Sequence, residues 1–106
     1  MTDHDAILAD LFAVIEDRKQ QLPAGSYTAE LFDHERGKNA VLEKLGEEMT
    51  ELILASKDED VDEIAHESAD VIYHLLVLLA MHEMDLEDVT SELRTRRGSS
   101  APEAPK

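Results

Sequence analysis

Apolar residues recur along this chain at helical rather than alternating spacing. From about Asp3 to Gln21, Ile7, Leu8, Leu11, Phe12, Val14 and Ile15 form one apolar side of a helix, which Pro23 and Gly25 end. The stretch GSYTAELF then predicts a turn and a short helical piece with Thr28 as N-cap, and Gly37 breaks the chain again. A second long helix is expected from about Asn39 to Ser56, with Val41, Leu42, Leu45, Met49, Leu52 and Ile53 inward. The acidic link KDEDVD turns the chain, with Asp60 or Asp62 as the next N-cap. From about Val61 to His82 the pattern changes, because Leu75 to Leu79 cover nearly the whole circumference, as in a helix buried on all sides. With so few other helices available, its far side is expected to meet a second subunit. A last helix runs from about Leu86 to Arg97 behind Asp85, and the Gly/Ser/Pro-rich tail GSSAPEAPK is expected to be disordered. The expected fold class is therefore all-α. Residues 1–97 form one helical bundle of antiparallel long helices, completed by dimerisation, with 98–106 as a tail.

Composition narrows the function classes. The chain has 106 residues and a formal charge of −15 from 25 acidic and 10 basic side chains. That charge argues against nucleic acid bound through a basic face. It suits a solvated acidic surface of the halophile type, so most of the carboxylates need no function. Without cysteine, disulfides and thiolate metal sites are excluded. The longest apolar stretch, Val71 to Met81, contains Tyr73 and His74 and is too short to span a bilayer. A cytoplasmic protein that binds no membrane is the expectation.

A few carboxylates stand out by position. At 100° per residue, Glu48 lies beside Leu52 at the edge of the second helix's apolar stripe, Glu51 follows one turn on, and Lys44 shares that flank. Glu47 and Glu43 lie further round toward solvent. On the next long helix Glu63, Glu67, Asp70 and His74 form one stripe that continues into Val77 and Met81. A short link makes the two helices antiparallel neighbours, so Glu48 and Glu51 can face Glu67 and Asp70. Four carboxylates together repel unless some are protonated or a cation neutralises them, and oxygen-only ligation suits Mg²⁺ or Mn²⁺. Spacing alone leaves two readings open, a metal site or an acidic helix face. The Glu63–His66 step, EIAH, has the form used by di-iron bundles, but such a site needs two of these motifs and only one is found on a long helix. His66 is expected to be exposed or behind the ligands, and His74 to be hydrogen-bonded near the metal face.

EEMTE, fifteen residues, then ESAD matches the pattern E-E-x-x-E…E-x-x-D. With GSYTAELF, EKLGEEMTELILASKD and ESADVIYHLLVLL, the chain from about Ala6 to Arg97 resembles the phosphoribosyl-ATP pyrophosphohydrolases, within the MazG-like all-α NTP pyrophosphohydrolase superfamily. The resemblance implies Mg²⁺-dependent hydrolysis of phosphoribosyl-ATP to phosphoribosyl-AMP and pyrophosphate, the second step of histidine biosynthesis. Carried over by motif, Glu48, Glu51, Glu67 and Asp70 are metal ligands. Glu47 is a ligand, a neighbour of the ligands or a water-orienting base. Lys44 and Lys57 meet phosphates, and Tyr27 and Thr28 lie near the substrate. Glu43 departs from the family's frequent double lysine. Two competing functions remain: a house-cleaning pyrophosphatase for stray or modified dNTPs, and a non-catalytic acidic helical interaction module. GSYT favours the phosphoribosyl-ATP reading.

Overall fold

In the computed structural model five helices follow one another: α1 (Asp3–Gln21), α2 (Tyr27–Phe32), α3 (Lys38–Lys57), α4 (Val61–Met81) and α5 (Leu86–Arg97), with no strand among the described residues. Residues 3–97 are described, with side chains from residue 6 onward, so the tail expected to be disordered lies outside them. Local chemistry sets the helix ends. The Asp58 and Asp60 N–H groups bond back to the Leu54 and Ala55 carbonyls, while Glu59 takes φ 55°, the left-handed position usually left to glycine. Asp60 then caps α4, its carboxylate accepting from the Glu63 N–H at 3.2 Å. Asp85 and Asp88 cap the start of α5 reciprocally, each carboxylate accepting the other's N–H.

The expected cap at Thr28 is not found. Ser26 takes that role, its Oγ accepting the Ala29 N–H at 3.1 Å, because α2 already begins at Tyr27. Thr28 therefore lies inside the first turn, where its hydroxyl is free to meet Tyr73.

α3 and α4 pack along their length as a hairpin, and α1 and α2 cover one side of it. The core comprises Phe12 and Ile15 of α1, Leu31 of α2, Val41 of α3, and Leu76, Val77, Leu79 and Ala80 of α4. All of these α4 residues lie in its C-terminal third. There Lys19 donates to the Ala80 carbonyl at 2.7 Å and pairs with Glu83, closing the end of the helix.

Several inward assignments differ from the sequence pattern. α3 turns Val41, Leu45, Glu48, Leu52 and Ala55 inward, a row spaced i, i+4, i+7, i+11, i+14, and each of these is buried or half-buried. Glu48 is thus in the middle of the packed row rather than at its edge. Leu42, Met49 and Ile53, expected inward, lie about 100° round the helix and are about half exposed. On α4, Leu76, Val77 and Leu79 are buried by their own chain, leaving Ile72 and Leu75 exposed. The run from Leu75 to Leu79 is therefore mostly consumed internally. Ile7 and Val14 are also exposed, because α1 meets α2 and α4 through a narrower strip around Phe12 and Ile15.

By length and composition alone α4 is long and apolar enough to cross a membrane, which the shorter run from Val71 did not suggest. Here it is the helix against which both α1 and α3 pack, with Glu67 and His74 buried along it. That is how the core helix of a bundle reads.

Candidate active site

The middle of the hairpin brings acidic groups from both helices together. Glu67 is buried at 8 % exposure, and its Oε1 is the one buried side-chain polar atom without a hydrogen-bond partner among the described residues. His66, Glu67 and Asp70 each offer a ligand atom within 4.8 Å of the others. From α3, the Glu48 carboxyl group reaches both Glu67 and Asp70. Glu51, one turn on, is exposed and lines the adjoining cleft with Asp58, Asp60 and Glu63.

Electrostatics shows what this costs. Burial pushes the Glu67 carboxyl above its ordinary range, and contact with the Glu48 carboxylate pushes it further. For Glu48, burial works in the same direction but is outweighed by hydrogen bonding to Glu67 and by the Lys44 ammonium, so its pKa is lowered. The two carboxyls of the pair are thus pushed apart, Glu67 toward holding a proton and Glu48 toward losing one. A divalent cation would do the same neutralising work, and a buried oxygen with no donor against it, in an almost all-oxygen set, fits Mg²⁺ or Mn²⁺.

Lys44 sits 3.7 Å from Glu47 and 3.5 Å from Glu48. Burial works to lower its pKa, but the Tyr27 oxygen and the two glutamates outweigh it and hold the ammonium charged. Glu47 is exposed on the outer side of this lysine. Glu43 is gripped at both oxygens by Arg36, which lowers its pKa. Lys57 lies in the last turn of α3, nine residues past Glu48 and so roughly 14 Å along the helix, outside the cluster.

Opposite the carboxylates, α2 contributes two further expected residues. The Tyr27 hydroxyl lies 3.1 Å from His74 Nε2, and the Thr28 hydroxyl meets that of Tyr73. The parts played by His74 and Tyr73 in holding this element were not anticipated. These contacts join positions more than forty residues apart, and no local spacing announces them. His66 was visible as Asp70's neighbour four residues back, and its ring now lies 3.4 Å from that carboxylate.

Residues 8–97 match the phosphoribosyl-ATP pyrophosphohydrolase family. The chain belongs to that family. Among its relatives is the phosphoribosyl-ATP pyrophosphatase of Haloarcula marismortui, 66 % identical over 90 % of this chain and 97 % of the relative. The proteins of that name from Natronomonas pharaonis and Halobacterium salinarum are 65 % and 59 % identical, covering 90 % and 85 % of this chain and 94 % and 96 % of their own lengths.

The Glu48–Glu67 contact has a pH signature. Because the folded pKa of Glu67 is raised, its proton favours the fold fully below the unfolded pKa, near 4.3, and that contribution fades as pH rises through the folded value. Glu48, shifted down, contributes in the opposite sense, losing its stabilisation as pH falls through its folded value. In metal-free protein the melting temperature is expected to fall more from pH 5 to pH 8 in the wild type than in Glu67→Gln. Thermal melts of both proteins, with EDTA and then with Mg²⁺, check this. Identical pH profiles would remove the buried-proton account.

Proposed function

We propose that this chain hydrolyses phosphoribosyl-ATP to phosphoribosyl-AMP and pyrophosphate in histidine biosynthesis, as a cytoplasmic Mg²⁺-dependent enzyme working as a homodimer. The observation that carries the site reading is the unpartnered, buried Glu67 oxygen in the cluster that Glu67 and Asp70 of α4 form with Glu48 of α3. Glu48, Glu67 and Asp70 would hold Mg²⁺ (or Mn²⁺), with Glu51 at the open side and His66 beside Asp70. The metal would supply charge neutralisation on the oligophosphate and a more acidic bound water.

The remaining chemistry falls to the protein's own groups. Lys44 keeps its positive charge and would meet a phosphate oxygen as water adds across the anhydride linkage between the α- and β-phosphates and that linkage breaks to release pyrophosphate. Glu47, exposed beside Lys44, would orient or deprotonate the attacking water. Tyr27 and Thr28, tied to His74 and Tyr73 of α4, would hold the nucleoside. Lys57 would reach only a distal phosphate of an extended substrate. The homodimer is supported by the open apolar face made by Leu42, Met49, Ile53, Ile72 and Leu75.

The test is pyrophosphate release from phosphoribosyl-ATP against a panel of dNTPs, with and without Mg²⁺. Mg²⁺-dependent release that strongly favours phosphoribosyl-ATP is expected. Equal or better use of dNTPs would favour the house-cleaning alternative, and no metal-dependent release would favour a binding module.

A further inference from the structure

We infer that His74 is a positioning residue for the substrate: it locks Tyr27 of α2 to the Asp70 turn of α4, fixing the Tyr27 ring and hydroxyl beside Lys44. The inference rests on the site reading above and goes beyond it, because His74 itself touches neither the metal nor the phosphates.

The hydrogen-bond directions follow from elementary chemistry. His74 is buried at 4 % exposure, and its Nδ1 lies 2.9 Å from the Asp70 backbone carbonyl oxygen. A carbonyl only accepts, so Nδ1 carries the proton. In the neutral ring Nε2 is then an acceptor, and the group 3.1 Å away, the Tyr27 hydroxyl, must donate to it. The Tyr27 hydroxyl therefore spends its single proton on His74, and the direction of that bond fixes how its lone pairs are turned. One directed chain runs from the carbonyl of a proposed metal-ligand residue, through the imidazole, to the phenol of α2.

Ring packing fixes the same element. Tyr73 stacks on Tyr27 with centroids 6.2 Å apart at 30°, and His74 meets both tyrosines edge-on. Thr28, next along α2, is tied to the Tyr73 hydroxyl. Tyr27 nevertheless keeps 49 % of its surface exposed. A ring clamped on one side and open on the other, next to a lysine and a carboxylate cluster, is a platform for the purine of a nucleotide whose phosphates point toward α3 and α4. A six-residue helix with two side chains in the core would not hold that ring in place alone. His74 supplies the anchor.

The test compares His74→Phe, His74→Gln, Tyr27→Phe and the double Tyr27→Phe/His74→Phe, with Asp70→Asn as a reference. Steady-state kinetics with phosphoribosyl-ATP and thermal melts are measured for each. Loss of one directed hydrogen bond is expected to raise KM about tenfold in His74→Phe and in Tyr27→Phe, with kcat within about twofold. The double variant should be no worse than either single one, since both remove the same bond. His74→Gln, which can again accept from the phenol, should recover most of the KM. A purely structural histidine would instead lower the melting temperature without moving KM, and that outcome overturns the inference. So would KM losses that multiply in the double variant. If His74→Phe does not fold, Tyr27→Phe decides from the other end of the bond, and an unchanged KM there is equally fatal. Asp70→Asn keeps the two readings apart. Wild-type activity in that variant would defeat the metal site itself, whereas an inactive Asp70→Asn beside a normal Tyr27→Phe would defeat only the role given to His74.

Discussion

Asp70→Asn is expected to lower Mg²⁺-dependent turnover by roughly a hundredfold to a thousandfold, the scale on which losing one preorganised electrostatic group slows an enzyme. The substitution keeps the side chain's shape and removes one unit of charge from the group formed with Glu48, Glu67 and His66. Mg²⁺ activation should shift to higher concentration at the same time. In the absence of metal the variant is expected to melt at the same temperature as the wild type or higher, because it relieves repulsion among clustered carboxylates. Glu59→Gln makes the same charge change in the exposed link between α3 and α4 and should leave turnover nearly intact. Measuring pyrophosphate release and melting for both separates a site from a merely acidic surface. Equal activities in the two variants would sink the assignment of Asp70.

The second large effect concerns the open face of the hairpin. Ile72 and Leu75 of α4, together with Leu42, Met49 and Ile53 of α3, expose between 39 % and 52 % of their surface. A two-fold partner would bury each of them twice. At about 1.5–3 kcal/mol for burying a whole apolar side chain, of which about half remains to be gained at each of these, one substitution removes about 1.5–3 kcal/mol per dimer, or roughly one to two orders of magnitude in the dissociation constant. The pair Met49→Lys/Ile72→Lys is therefore expected to turn a dimer into a monomer at micromolar concentration. Lysine is the informative choice because it lowers the net charge of −15. Dissociation then cannot be assigned to greater repulsion. Sedimentation at high salt, where that repulsion is screened, reads the result. A monomeric wild type under those conditions would remove the dimer from the proposal.

How much of this was legible depended on whether the information was local. Helix ends came within a residue or two of the structure because Pro23, Gly37, Asp60 and Asp85 act on their immediate neighbours. The one misplaced cap, Thr28 for Ser26, involves two hydroxyl residues two positions apart, and only the meeting of Thr28 with Tyr73 separates them. The pairing of Glu48 with Glu67 and Asp70 followed from spacing and a short link. The rotation of α3 did not. That helix carries two apolar rows about 100° apart, Val41, Leu45, Leu52 and Ala55 in one and Leu42, Met49 and Ile53 in the other. Periodicity counts both as hydrophobic and cannot say which one the chain itself covers. The Tyr27–His74 bond was illegible for the same reason: it depends on how α2 lies across α4.

The placement of the core has a consequence for local opening. The buried apolar cluster gathers where α1 and α2 lie against the last third of α4, while the half of the hairpin nearest the link buries only Ala55 among its hydrophobic residues. The two ends of the hairpin should therefore open independently, the link end at much smaller free energy than the whole domain. A cation held by residues from both α3 and α4 would act as a clasp on the weaker end. Amide hydrogens from about residue 50 to 70 would then exchange quickly without metal and slow when it binds, while those near Leu76 to Ala80 stay protected throughout. In such a hairpin the same contact that prepares the substrate for cleavage also completes the fold around it.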